Sequence, residues 1–217
     1  FVVQKSAGAV ASSEALPATL RVGNALASSF SYLVQTFWPA KLAVFYPYLN
    51  PLPTVTLVIA GIAVLGISWL AWKSVNSRPY LLVGWLWYLG MLVPVIGLVQ
   101  VGLQSMADRY TYLPSIGIAI MLVWGLAGLR VLEGRHTMVV GIGLLLLCGL
   151  TVLSRRQVGF WRDSESLFSH ALDVTQNNSV AHYSLGSVLA VRGQLPEAME
   201  HFREAIRINP QNQEAQS

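Results

Sequence analysis

The chain has 217 residues, of which 54% are hydrophobic and only 11% charged, less than half the roughly 25% charged share of soluble domains, so a soluble enzyme is excluded and a membrane protein is expected. Residues 1–154 carry eight Lys/Arg against three Asp/Glu, net +5, and residues 155–217 carry six against seven, net −1. The basic balance therefore belongs to the apolar part, where cations favour anionic headgroups, and no basic patch is suited to nucleic acid.

Because the sequence starts at Phe1 rather than Met and stops at Ser217 as a new repeat begins, it reads as a fragment. Residues 1–53 form a segment of their own, assigned to the exoplasmic side. Within 20–38, Val22, Leu26, Phe30, Leu33 and Phe37 recur at helical spacing, with Arg21, Asn24, Ser28, Ser31 and Gln35 between them. That pattern predicts an amphipathic helix lying in the membrane interface, with a poorly hydrophobic fifth span as the alternative. Pro39 ends it, and Pro47, Pro51 and Pro53 keep the chain extended beyond.

Residues 54–154 hold four apolar runs, at about 54–72, 80–103, 110–130 and 137–154, each close to the roughly 20 residues that cross a bilayer core. They predict an all-α polytopic bundle, with Pro94 kinking the second helix and Trp69, Trp72, Tyr80, Trp85, Tyr110 and Tyr112 gathered toward run ends as interfacial aromatics. Gly61, Gly66, Gly141 and Gly143 read as places of close helix packing. Cys148 is the single cysteine, so no intrachain disulfide forms. Lys73, Arg78, Arg130 and Arg135 place two connections in the cytoplasm, which puts Asp108, the first 53 residues and the repeat outside; Arg155 and Arg156 pull the other way.

Phe168 and Phe202, Ala171 and Ala205, and Leu172 and Ile206 are each 34 residues apart, the tetratricopeptide period. Leu185, Gly186, Gly193, Ala198, Phe202, Ala205 and Pro210 fall in its register. Gly186 and Ala198 are small where two helices approach, Phe202 fills the gap between units, and Pro210 stops the second helix. Residues 179–217 are thus one repeat and the start of the next, and 155–178 a linker helix or degenerate half repeat. Asn212 and Ala215 echo Asn178 and Ala181, so further repeats are expected. Glu165, Glu197, Glu200 and Glu204 read as a solvated helix face, and His136 as an interface residue. His170, His182 and His201 share no metal-ligand spacing, so no metal site is assigned, and no phosphate loop, nucleophile elbow or paired-carboxylate cluster is present.

One polar island stands out. Asp108 and Arg109 sit at the mouth of the third run, followed by Tyr110, Tyr112, Pro114 and Ser115. Charges so near hydrocarbon are costly unless paired or functional. Either Asp108 and Arg109 pair and the tyrosines are belt residues, or the guanidinium grips a phosphate and the tyrosines line a lipid or sugar path. In the second reading Lys41 joins Arg109 around one anionic headgroup.

The order of TFWPAKLAVFYPYL at 36–49, MADRYTYLPSIGI at 106–118, a last span, FWRDSESLFSHAL at 160–172 and then the repeat resembles the transmembrane and tetratricopeptide repeat-containing O-mannosyltransferases and their bacterial relatives. The resemblance implies a GT-C glycosyltransferase that moves a sugar from a polyprenyl-phosphate carrier to protein Ser or Thr on the exoplasmic side, its repeats engaging the acceptor. It implies Arg109 and Tyr110 as lipid-phosphate contacts, and Trp38, Pro39 and Tyr46 as shapers of the exoplasmic surface. It also implies a multi-pass membrane protein, in the inner membrane with periplasmic repeats if the source is bacterial. The family's acidic catalytic motif belongs to an early exoplasmic loop that this sequence does not contain, so the catalytic acid is unassigned and Glu14 is not promoted to it. No cofactor motif is identifiable, and a divalent metal stays compatible with the sequence. The competing reading is a non-catalytic membrane-anchored scaffold whose repeats assemble partner proteins; a transporter is disfavoured because no run carries an ionisable residue at mid-membrane depth.

Overall fold

The computed structural model describes residues 17–49, 51–96, 104–128 and 136–210. Helix α1 covers Ala18–Phe37, strand β1 Tyr46–Pro47, α2 Thr54–Lys73 and α3 Pro79–Leu92. Strand β2 covers Gln104–Met106, and a 3-10 turn at Asp108–Thr111 runs directly into α4, Tyr112–Ala127. The order then continues with α5 at His136–Phe160, α6 at Ser164–Val174, α7 at Ser179–Val191 and α8 at Leu195–Ile208.

The fold is all-α apart from the two-residue ladder between β1 and β2. Among the described residues three stretches are long and apolar enough to cross a membrane: Thr54–Lys73, Asp108–Ala127 and Thr137–Phe160. Their outward side chains, among them Ile62, Leu65, Val123, Leu145 and Leu147, are exposed, as helices facing hydrocarbon require. The run at 80–103 behaves differently from the single kinked span expected of it. Helix α3 has 14 residues, about 21 Å of rise against the roughly 30 Å of a bilayer core. Pro94 supplies no N–H and clashes with the preceding turn, so 93–96 form a turn and Gln104 already belongs to β2; residues 97–103 lie outside the described ones. The last run is longer than expected, since α5 continues past 154 to Phe160 and includes Arg155 and Arg156. The linker helix is correspondingly shorter: a bend at 161–163 precedes α6, whose N-cap Asp163 accepts from the Ser166 backbone N–H at 2.8 Å.

Helix α1 forms where the spacing predicted it, and the structure shows which way it faces. Asn24, Ala25, Ala27, Ser28, Ser29 and Tyr32 are buried, whereas Val22, Val34 and Phe37 are exposed. The polar face is turned inward because the backbone at Ile96 and at Ser105–Ala107 is not helical and its peptide groups need partners inside an apolar bundle. Asn24 Nδ2 donates to the Ile96 carbonyl at 3.3 Å and to the Ser105 carbonyl at 3.1 Å. Tyr32 accepts from the Ala107 N–H at 2.8 Å and donates to the Ala107 carbonyl at 3.2 Å.

Behind this face lies the bundle core, where Trp85 stacks on Tyr88 with centroids 5.3 Å apart and Leu92 and Ile118 complete the contact. Helices α3 and α4 cross on glycine. A Cβ placed on Gly84 would fall 2.5 Å from the Gly117 carbonyl oxygen, and one on Gly117 would collide with the Gly84 carbonyl. Gly61 is only in ordinary contact range of Leu26, and Gly66, Gly141 and Gly143 have no described atom within 4 Å of an added Cβ, so the close-packing role expected of those four belongs instead to Gly84 and Gly117. Cys148 is exposed on α5.

The C-terminal helices pack as the repeat register requires. Leu185, Leu189 and Ala198 form a small core against Phe168, Leu172 and Phe202, so α6 serves as the half unit on which α7 and α8 stack. A Cβ on Gly186 would lie 2.8 Å from the Phe202 ring, and Gly193 turns the chain between α7 and α8 at φ +80°, a conformation glycine adopts without penalty. Ala205 is fully buried and Pro210 stands exposed beyond α8. Of the expected solvated acids, Glu165 pairs with Arg192 and Glu204 with Arg207.

Asn178 locks this unit to the membrane part. It is 1% exposed; its Nδ2 donates to the Phe45 carbonyl at 3.1 Å and to Thr175 Oγ1 at 2.9 Å, while its Oδ1 caps Ala181 N–H at 3.0 Å. Gln157 of α5 adds a bond from Nε2 to the Leu42 carbonyl at 3.1 Å. Asn178→Ala is expected to cost about 1–3 kcal/mol, because it removes a helix cap and leaves the half-buried Phe45 carbonyl without this partner. Limited proteolysis should then cut near 161–178 at lower protease concentration, whereas an unchanged pattern would show that the lock contributes little.

Candidate functional site

The β1–β2 ladder brings two distant segments together. Tyr46 pairs with Met106 and Pro47 with Gln104, which sets the loop after α1 beside the polar island. Tyr46 is the hub: its hydroxyl donates to Asp108 Oδ1 at 2.8 Å and accepts from the Ala43 N–H at 2.8 Å and from Gln35 Nε2 at 3.3 Å. Burial, reinforced by the neighbouring Asp108 carboxylate, holds the Tyr46 phenol above the usual tyrosine range, so it stays a protonated donor at physiological pH. Burial does the same for Tyr32.

Asp108 is therefore partnered by a phenol and not by its neighbour Arg109. Among the described residues no ion pair involves Arg109. Its exposed guanidinium lies over the Tyr110 ring, 5.1 Å from the centroid, a cation–π contact that fixes the side chain without neutralising it. The arrangement presents an uncompensated cation at the mouth of α4, chemistry suited to an anionic oxygen. Lys41 is also exposed, on the loop that leads to β1, but no described hydrogen bond joins it to Arg109 or Tyr110. Trp38 is exposed, and Pro39 lines a gap with Leu42, Leu150 and Trp161, both on the outside of the same loop. Tyr46 departs from its expected surface role, since its hydroxyl organises the interior of the loop.

A cleft of about 390 Å³ adjoins this island, within the usual size of ligand sites. Asn24, Ser28, Ser31, Thr56 and Ser105 line it from α1, α2 and β2, Tyr46 and Pro47 from β1, Val174 from the end of α6, and Thr175 and Gln176 from the turn before α7. Residue spacing gave no sign of it, because its polar side chains come from segments up to 152 positions apart; the one available signal was the row Asn24, Ser28, Ser31 within the amphipathic pattern of α1. The structure also brings His182 and His201 together, Nδ1 to Nδ1 at 3.0 Å, a pairing that requires a shared proton. Burial and the second ring lower the basicity of His182. Among the described residues no group of three or more His, Cys, Asp or Glu is arranged to hold a metal.

Tyr46→Phe tests the hub. Losing the hydroxyl leaves Asp108 Oδ1 and the Ala43 N–H without their partner, an expected cost of about 1–3 kcal/mol. Thermal unfolding in detergent measures it, and an unchanged midpoint would remove Tyr46 from this role.

Comparison with known proteins supports what these elements suggested. Residues 179–212 match the tetratricopeptide repeat family. Protein O-mannosyl-transferase TMTC1 of Homo sapiens is 29% identical over 187 residues, covering 84% of this chain and 20% of that protein. Protein O-mannosyl-transferase TMTC4 of Mus musculus is 35% identical over 103 residues, 45% of this chain and 13% of that one. Protein O-mannosyl-transferase Tmtc2 of Drosophila melanogaster is 32% identical over 105 residues, 48% of this chain and 11% of that one. The chain thus spans a fifth or less of the length of these relatives. No solved structure matches it.

Proposed function

We propose that this chain, which resembles the TMTC protein O-mannosyl-transferases through both its membrane-span-capable helices and its tetratricopeptide repeat, serves in a membrane glycosyltransferase that passes a sugar from a polyprenyl-phosphate carrier to Ser or Thr of a protein. The observation that supports this best is the extent of the similarity: it runs over 187 residues, far beyond the 34 of the repeat, and so includes most of the apolar part. In the reaction the bond between the anomeric carbon and the carrier phosphate oxygen breaks, a glycosidic bond to the acceptor oxygen forms, and the hydroxyl proton passes to a base. Within this reading Arg109, steadied on Tyr110, meets the developing charge on the departing phosphate, and Lys41 supplies additional positive charge nearby. The repeat side of the protein engages the acceptor, on the exoplasmic face, which is the periplasm in a bacterial inner membrane.

The repeat match by itself also suits a membrane-anchored scaffold, and one measurement separates the two. The full-length protein, purified in detergent, is incubated with radiolabelled polyprenyl-phosphate mannose and a Ser/Thr-rich acceptor protein. Label entering the acceptor is expected; stoichiometric acceptor binding without label would establish the scaffold instead.

A further inference from the structure

We propose that the cleft between α1, the β1–β2 ladder and the turn before α7 is the seat of the acceptor chain, and that it selects an extended segment with no charged residue beside the hydroxyl to be modified. The proposal rests on the glycosyltransferase reading and adds to it a substrate class. Ser28 is 3% exposed, makes no hydrogen bond among the described residues, and lines the cleft. Its hydroxyl is not among the buried unpartnered atoms, so it opens to the cleft, where a ligand or water can complete it. Asn24 is 4% exposed; both its described bonds use Nδ2, so its Oδ1 stays open as an acceptor. Ser31 and Thr56 on the same walls also make no hydrogen bond among the described residues. The cleft therefore offers neutral donors and acceptors, the complement of peptide N–H and C=O groups.

Charge decides the rest. Among the described residues no Lys, Arg, Asp, Glu or His lines the cleft. A charged side chain entering it would shed water and meet no counter-ion, whereas Ser, Thr, Ala or Val would lose little. Tyr46 separates this chamber from the cation, since its residue lines the cleft while its hydroxyl is bonded to Asp108, next to Arg109. An anionic carrier is drawn to the Arg109 side, and a chain arriving along the repeat meets Val174, Thr175 and Gln176 first.

The test uses the full-length protein in detergent and two dansyl-labelled peptides, one of Ala, Val, Ser and Thr only, the other with Glu on both sides of its Thr. Fluorescence anisotropy should show the neutral peptide bound at least about tenfold more tightly, and Ser31→Trp, which fills the cleft, should weaken it by about tenfold. Ser31→Lys should invert the preference toward the Glu-flanked peptide, a gain that misfolding does not produce. Equal affinity for the two peptides, or neutral-peptide binding unaffected by Ser31→Trp, overturns the proposal. So does a rise in the KM for polyprenyl-phosphate mannose in Ser31→Trp with peptide binding intact, which would give the cleft to the carrier sugar. Binding is read without turnover, so failure of the transfer assay and failure of the cleft are distinguishable.

Discussion

Arg109→Ala in the full-length protein is expected to lower sugar transfer by about 10²–10³-fold, the usual loss when one group facing a developing oxyanion is removed, with the unfolding midpoint unchanged. The two halves of that expectation come from the same geometry. The guanidinium is exposed and rests on Tyr110 rather than on a carboxylate, so deleting it breaks no described ion pair and orphans no buried group. A phosphate oxygen at that place would lose its counter-charge. Arg109→Lys should restore part of the rate, because it keeps the charge and loses the bidentate fork. Transfer assayed alongside thermal unfolding decides the matter: a variant that folds and turns over normally would remove Arg109 from the site.

The second large effect is structural. Gly117→Val is expected to destabilise the bundle by about 3 kcal/mol or more, because the new side chain would occupy the space of the Gly84 backbone and the two helices would have to separate. Gly143→Val provides the contrast. It lies on α5 with no described atom within 4 Å of an added Cβ, so a change within about 0.5 kcal/mol is expected. Thermal unfolding in detergent, followed by near-ultraviolet circular dichroism of the buried Trp85–Tyr88 pair, reports both. Equal sensitivity at the two positions would show that the α3–α4 crossing is not held by glycine.

The two open readings of the polar island show where sequence reasoning reached its limit. Adjacent opposite charges at 108 and 109 invite a pairing, and nothing local contradicts it. What contradicts it is Tyr46, 62 positions away, brought to Asp108 by a ladder of two residues in one strand and three in the other. Strands that short leave no alternating pattern to read. The orientation of α1 was hidden for a related reason: periodicity gives a polar face and an apolar face, and in water the apolar one goes inside, but beside hydrocarbon the preference inverts wherever irregular backbone needs hydrogen bonds. Asn24 and Tyr32 face inward because they satisfy the backbone of Ile96, Ser105 and Ala107.

Glycine shows the same division. Four glycines were assigned to helix contacts from their presence in apolar runs, while the crossing is made by Gly84 and Gly117, in runs whose relative rotation no local pattern encodes. In the repeat, by contrast, Gly186, Gly193, Ala198, Phe202 and Ala205 sit where the 34-residue register put them, because the partners in a helical hairpin lie a fixed number of residues apart.

By itself the sequence determined what depends on near neighbours: the apolar runs, the repeat and its packing residues, and the resemblance to the O-mannosyltransferases. Only the tertiary structure decided that Asp108 belongs to Tyr46, that Arg109 is left uncompensated, that Asn178 fastens the repeat to the loop at Phe45, and that a neutral cleft opens between them. Those outcomes turn on which distant backbone groups must find partners once helices pack, and that demand exists only after the chain has closed on itself.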